Sequence, residues 1–187
     1  MENKWNDYCG TIYSNKNHMI KRNPIKHFIM LSGMVIVALL SSCDPSKNNV
    51  DLEEQEQLSI ASFLSANDTL DFERKASGLY YLDLVVGTGP MAEANDTAYL
   101  FYAVQYLSGV IFDTNFETTD TLIFKVNGGN LIPGFEEGVT YMREGGRSIF
   151  LAPSSLAYGS AGNYYISPYT PLIFQTHLVR LVKYQGI

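Results

Sequence analysis

Histidine and cysteine are scarce in this sequence, and their positions limit the chemistry it can do. The three histidines are His18, His27 and His177, and the two cysteines are Cys9 and Cys43. All but His177 fall within the first 43 positions, so the body of the chain holds neither a zinc-type ligand cluster nor a His-based catalytic triad. Its glycines do not form a phosphate loop followed by Lys and Ser or Thr. Lys plus Arg total 13 against 19 Asp plus Glu, for a net charge of −6, which argues against an electrostatic nucleic-acid partner. Aromatic residues are plentiful: 13 Tyr and 10 Phe beside a single Trp. That profile fits a β-rich fold or an aromatic-lined pocket. By periodicity alone, each aromatic is more simply a core residue than a site residue.

The elements that must position these side chains can be read from pattern. The 187 residues, 46% hydrophobic and 17% charged, allow one domain with additions and exclude a disordered chain. From Gly78 the pattern has a period of 2. Tyr80, Leu82 and Leu84 share one face and Leu79, Tyr81 and Asp83 the other, and the charge on Asp83 marks the second face as the wetter one. Thr97 to Leu107 is a long strand, with Leu100, Tyr102 and Val104 on one face. Ser108-Gly109 signals a hairpin into a short strand from Val110 to Asp113. Thr121 to Val126 is another strand, closed by Asn127-Gly128-Gly129-Asn130. One helix follows. Pro133 suits its first turn, and Glu136 and Glu137 favour its positive end. Phe135, Val139 and Met142 give it about three turns with one apolar face, before Gly145-Gly146 stop it. Arg147 to Ala152 is a strand, and residues 153–171 form a loop long enough to argue for function. Leu172 to Val182 is the last strand, with a phase slip at Val179 that predicts a bulge. The fold class is α+β: a five- or six-stranded antiparallel sheet wrapped around one short α-helix.

Four segments, in order and at matching separations, give this chain a specific likeness. They are Tyr102 followed ten residues later by Phe112-Asp113; Leu131-Ile132-Pro133-Gly134-Phe135-Glu136-Glu137-Gly138; Leu156-Ala157-Tyr158-Gly159; and Pro171-Leu172-Ile173-Phe174. Residues 76–184 resemble the FKBP-type peptidyl-prolyl cis-trans isomerases. The resemblance implies an apolar cleft between sheet and helix, made here by Tyr102, Phe112, Asp113, Leu122, Leu131, Ile132, Phe135, Tyr158, Ile166 and Phe174. It makes Phe135 the floor under a prolyl ring, and makes Tyr158 and the Ile132 N–H donors to substrate carbonyls. It sets Asp113 beside the twisting amide, holding its neighbours by hydrogen bonds. It implies neither cofactor nor metal, and a monomer whose partners are proline-containing unfolded polypeptides. The chain departs from the family where Trp is most often found, at Phe135, where an aromatic is common, at Leu122, and at Tyr102-Ala103-Val104 in place of Tyr-Thr-Gly. These departures keep a second expectation open, a non-catalytic peptide-binding or chaperone module with the same cleft.

The N-terminus carries a different kind of signal. Residues 1–42 hold Lys4, Lys16, Lys21, Arg22 and Lys26 against only Glu2 and Asp7, ahead of an acidic body. Lys21, Arg22 and Lys26 precede an uncharged run from Phe28 to Leu40, too short to span a membrane and of signal-peptide length. The run ends Leu40-Ser41-Ser42-Cys43, which resembles the bacterial lipoprotein signal. That resemblance implies cleavage before Cys43, lipid on its thiol, and a protein anchored in the cell envelope, at the outer membrane facing the periplasm or the cell surface. Met19-Ile20-Lys21-Arg22 makes the more usual start, which would leave residues 1–18 as a misassigned extension. Residues 43–75 then read as a lipidated tether. Asp51 and Glu54 form a capping pattern, and Ile60, Phe63 and Leu64 a short amphipathic helix near 51–65 whose acidic face is solvated. The domain is expected to fold without residues 1–75.

Overall fold

The computed structural model describes residues 45–186. The expected signal segment 1–42 and Cys43 lie outside the described residues. Among the described residues the first element is a helix, α1, Pro45–Ala66. Seven strands follow: β1 (Glu73–Arg74), β2 (Tyr80–Val85), β3 (Thr97–Tyr106), β4 (Ile111–Thr114), β5 (Leu122–Lys125), β6 (Arg147–Ala152) and β7 (Leu172–Val182). A second helix, α2 (Pro133–Thr140), lies between β5 and β6. Every pairing is antiparallel. The sheet runs β1-β2-β6-β7-β3-β4, and β5 also pairs with β3. The strand count exceeds the expected five or six because two-residue β1 extends the β2 edge and both β4 and β5 pair with β3.

The long strands β3 and β7 form the spine. Their register steps from Tyr99↔Arg180 to Leu100↔Leu178, which makes Val179 the bulged residue. α2 lies against one face of the sheet through Phe135 and Val139, in a core shared with Leu100, Val104, Phe150, Phe174 and Leu178. A Cβ at Gly138 would run into the Phe150 ring, so glycine is what lets the helix approach β6. α2 is eight residues long, about a turn shorter than its apolar period predicts. Past Thr140 the bonds tighten to the i−3 type, from Tyr141 N–H to the Gly138 carbonyl and from Met142 N–H to the Val139 carbonyl.

On β2 the wetter face is the opposite of the one expected. Leu79 and Tyr81 are buried, while Tyr80, Leu82 and Leu84 are half-exposed. Tyr81 can point inward because its hydroxyl reaches Asp83 Oδ1 at 2.5 Å and Ser148 Oγ at 3.0 Å. Asp83 itself is exposed and also accepts from Ser148 Oγ at 2.7 Å, so its charge sits at the wet end of a face whose Leu79 and Tyr81 are buried.

The outer face of the sheet is also buried. Ile149, Leu151 and Ile173 alternate with residues of the α2 core and therefore point the other way, yet they are 2%, 0% and 0% exposed. α1 is the described element left to cover them. Its Ile60 and Phe63 are buried, Phe63 meets Phe72 edge-on at 6.5 Å, and Glu56 bonds to Ser154 just after β6. The expected boundary at 75/76 thus cuts a packed unit. β1 belongs to the sheet, α1 is longer than the expected 51–65, and its acidic face is not wholly solvated, because Glu56 is buried.

Candidate active site: an aromatic cleft between sheet and helix

Immediately before α2 the chain folds back over the helix start. The buried Glu136 carboxylate accepts the N–H groups of Gly129 (3.1 Å), Asn130 (2.9 Å) and Leu131 (3.0 Å). Satisfying three amides at once fixes the turn and sets Leu131 and Ile132 at a rim. The sequence pattern indicated only a favourable charge at a helix N-terminus for Glu136, and its shaping of this turn was missed.

Between this rim and the sheet lies a cleft of about 510 Å³. Of the expected residues, Tyr102, Asp113, Leu122, Leu131, Ile132, Phe135, Tyr158 and Phe174 line it. Phe112 and Ile166 do not. The β3–β4 register shifts past Val104↔Asp113, leaving Phe112 unpaired, and its ring turns onto Tyr106 at 4.8 Å. Ile166 is 3% exposed in the core, where its N–H donates to Asn163 Oδ1 at 2.7 Å and pins the long loop. Val104, Asn130, Pro133 and Ala157 line the cleft without having been expected there. Val104 shares a strand face with Tyr102, so the period-2 pattern carried a signal for it.

The floor is a cluster of rings. Phe135 is 4% exposed, and its centroid lies 6.0 Å from Tyr102, 5.9 Å from Phe124, 6.4 Å from Phe150 and 5.3 Å from Phe174. Phe135 therefore serves cleft and core together. Asp113 is the one charged residue in the lining, and Tyr102 Oη–H donates to its Oδ2 at 3.0 Å. Burial, then the hydrogen bond to Asp113 and its charge, push the Tyr102 hydroxyl up to about 12, so it remains a protonated donor. Tyr102 is held from behind by Asn115, whose Oδ1 accepts the Tyr102 N–H at 2.7 Å and whose Nδ2 donates to the Leu100 carbonyl at 3.2 Å. Sequence reasoning missed Asn115. Two donors at the cleft, the Tyr158 hydroxyl and the Ile132 N–H, have no partner among the described residues.

No group of three or more His, Cys, Asp or Glu among the described residues is arranged to hold a metal. What this cleft can do is take up an apolar ring against Phe135 and offer hydrogen bonds to flanking carbonyls.

Comparison with known proteins decides the family. The model of the FKBP-type peptidyl-prolyl cis-trans isomerase family matches residues 89–179. An FK506-binding protein of Streptomyces anulatus is 37% identical over 100 residues, covering 52% of this chain and 81% of that protein. The chain belongs to the FKBP-type peptidyl-prolyl cis-trans isomerase family. The FKBP-type isomerase FkpA of Escherichia coli K12 is 32% identical over 104 residues, 56% of this chain and 38% of FkpA. A chloroplastic FKBP-type isomerase of Arabidopsis thaliana is matched over 48% of its length, so the chain spans less than half of some relatives it resembles. Among solved structures, FkpA of Escherichia coli superposes with a TM-score of 0.62 at 27% identity, over 73% of this chain and 62% of that one. A peptidyl-prolyl cis-trans isomerase of Pseudomonas syringae pv. tomato gives 0.58 at 25% identity, over 76% of this chain and all (100%) of that one. The antiparallel sheet with a short helix in its hollow is the FKBP fold.

Proposed function

We propose that this FKBP-type protein accelerates cis-trans isomerisation of X–Pro bonds in unfolded polypeptides of a bacterial cell envelope, anchored by lipid on Cys43. The observation that carries the isomerase reading is the pairing of a closed aromatic floor at Phe135 with two donors, the Tyr158 hydroxyl and the Ile132 N–H, that have no partner among the described residues. Rotation about X–Pro faces a barrier of about 18–20 kcal/mol and breaks no bond. The planar amide is strongly dipolar, and the twisted transition state loses that resonance. A water-poor ring cluster disfavours the planar form relative to the twisted one, and fixed donors hold the twisted conformer. A thousandfold acceleration asks for about 4 kcal/mol of differential binding, within reach of a few such contacts.

A protease-coupled proline-peptide assay on residues 45–187 tests this. Turnover is expected, and Tyr158→Phe should lower kcat/KM severalfold while moving the melting temperature little, because the hydroxyl has no partner among the described residues. Peptide binding with no turnover would replace the isomerase reading with a binding module. The anchor reading rests on the Leu40-Ser41-Ser42-Cys43 pattern. Mass spectrometry of the native protein should find acyl chains on Cys43 as the N-terminal residue, and Cys43→Ala should abolish them. A native N-terminus elsewhere would overturn it.

A further inference from the structure

Tyr158 lines the cleft, and among the described residues no hydrogen bond tethers its side chain, so its direction depends on the backbone beneath it. That backbone hangs on Ser154. The Ser154 carbonyl accepts the N–H groups of Ala157 and Gly159, the residues on either side of Tyr158, each at 2.8 Å. Ser154 is itself 4% exposed, and both of its donors go to one group 98 positions earlier in the chain. Its N–H reaches Glu56 Oε1 at 2.5 Å and its Oγ–H reaches Glu56 Oε2 at 2.6 Å. Glu56 is 5% exposed, whereas Glu53 and Glu54 on the same helix are exposed.

A carboxylate at this depth is costly for α1 to bury, and an apolar residue would cover the sheet at lower cost. What the carboxylate supplies is orientation. Two charge-assisted bonds, one to backbone and one to side chain, fix the start of the turn that carries Tyr158. We infer that Glu56 is a positioning residue for Tyr158, so that α1, outside the segment matched to the family, sets the geometry of the cleft. This inference rests on the isomerase reading for its kinetic consequence but not for its structural one.

The test uses residues 45–187 with ring-labelled tyrosine, comparing wild type, Glu56→Ala, Glu56→Gln and, as a control on an exposed α1 position, Glu54→Ala. Tyr158 ring resonances and kcat/KM are measured well below each melting temperature. Glu56→Ala should move the Tyr158 resonances and lower kcat/KM on the order of tenfold, the scale expected of a sub-ångström misplacement. Glu56→Gln keeps one acceptor and should fall between, and it serves if Glu56→Ala does not fold. Glu54→Ala should match wild type. In a Tyr158→Phe background, Glu56→Ala should cost much less, since the two act through one hydroxyl. Unmoved Tyr158 resonances in both Glu56 variants, or an equal kinetic loss with and without the Tyr158 hydroxyl, would overturn the inference. Absence of turnover in wild type would overturn the isomerase reading instead, and the resonances alone would then decide the role of Glu56.

Discussion

Replacing Phe135 tests whether one ring can serve as both catalytic floor and structural core. Truncation to Ala removes a ring that four other rings enclose at 5.3–6.4 Å and that is 4% exposed. Those neighbours sit on β3, β5, β6 and β7, which are fixed by ladder bonds, so the hole cannot collapse readily. Phe→Ala in such a site costs about 3–5 kcal/mol. For a unit of this size that lowers the melting temperature by roughly 10–25 °C. Because the ring is buried and also lines the cleft, folding and catalysis should both suffer.

Two further variants separate the roles. Phe135→Leu keeps much of the volume and should cost about 1–2 kcal/mol, yet lose the flat surface under the prolyl ring and with it most of kcat/KM. Phe135→Trp adds volume and an N–H, with an overpacking cost of about 1–3 kcal/mol. Trp5 is the chain's single tryptophan, so in a protein starting at residue 45 the new indole reports on the cleft alone. Its emission should be blue-shifted and should respond to a bound proline peptide. Calorimetry and the protease-coupled assay on all three variants give the answer. If Phe135→Ala melts within about 1 kcal/mol of wild type, or if Phe135→Leu retains full kcat/KM, the shared-ring reasoning is refuted.

Three other outcomes follow from the same structure. Removing α1 so that the chain starts at residue 67 should cost about 3–6 kcal/mol from Ile60 and Phe63 alone and expose Ile149, Leu151 and Ile173 to a hydrophobic dye; an unchanged melt without dye binding would show that α1 is a mere tether. The Gln105 amide is 0% exposed with neither Oε1 nor Nε2 partnered among the described residues, so Gln105→Met should raise stability by about 1–3 kcal/mol, and a loss measured by denaturant titration would point to a partner it does satisfy. Acid should weaken the fold in two separate windows. Burial, helped by the Arg147 charge, holds His177 below its ordinary 6.5, so the unfolded chain binds a proton that the native one does not, and stability falls as pH drops below 6.5. Burial alone would raise Asp96, but bonds from Lys183 and from the Tyr184 and Glu93 N–H groups outweigh it and hold the carboxyl below 3.8, so its contribution is present above 3.8 and is lost as pH falls through the lowered value. His177→Gln should flatten the first window and leave the second, as read from melts across pH.

Where the sequence was legible, the signal was local. β6 and β7 have the bounds their alternation predicts, and the Val179 bulge was visible as a phase slip. The start of α2 was readable from Pro133 and the acidic residues after it. What stayed hidden depends on partners far along the chain. Tyr81 turns inward because Ser148, 67 positions away, meets its hydroxyl. Glu56 looks like one more acid on a solvated helix until Ser154 is placed beside it. The site residues became legible through the four family segments and not through period, since Phe135 and Phe174 read as core by pattern. At 4% and 1% exposed they are core as well. Phe112 and Ile166 belong to the same segments or loop, yet a register shift and a buried loop anchor keep them out of the cleft lining.

The two faces of the sheet divide the labour. The α2 face holds the ring cluster and the cleft, so changes there move stability and turnover together. The other face holds Ile149, Leu151 and Ile173, which are buried, as are Ile60 and Phe63 of α1, and none of these lines the cleft, so changes there should move stability alone. Glu56 is the exception, because Ser154 stands where β6 leaves the sheet and the cleft loop begins. An outer-face substitution such as Ile60→Ala should therefore lower the melting temperature without changing kcat/KM of the folded fraction, while Glu56→Gln should lower both. That contrast distinguishes a helix that only shields the sheet from one that also aims Tyr158, because shielding scales with apolar area and aiming with two hydrogen bonds.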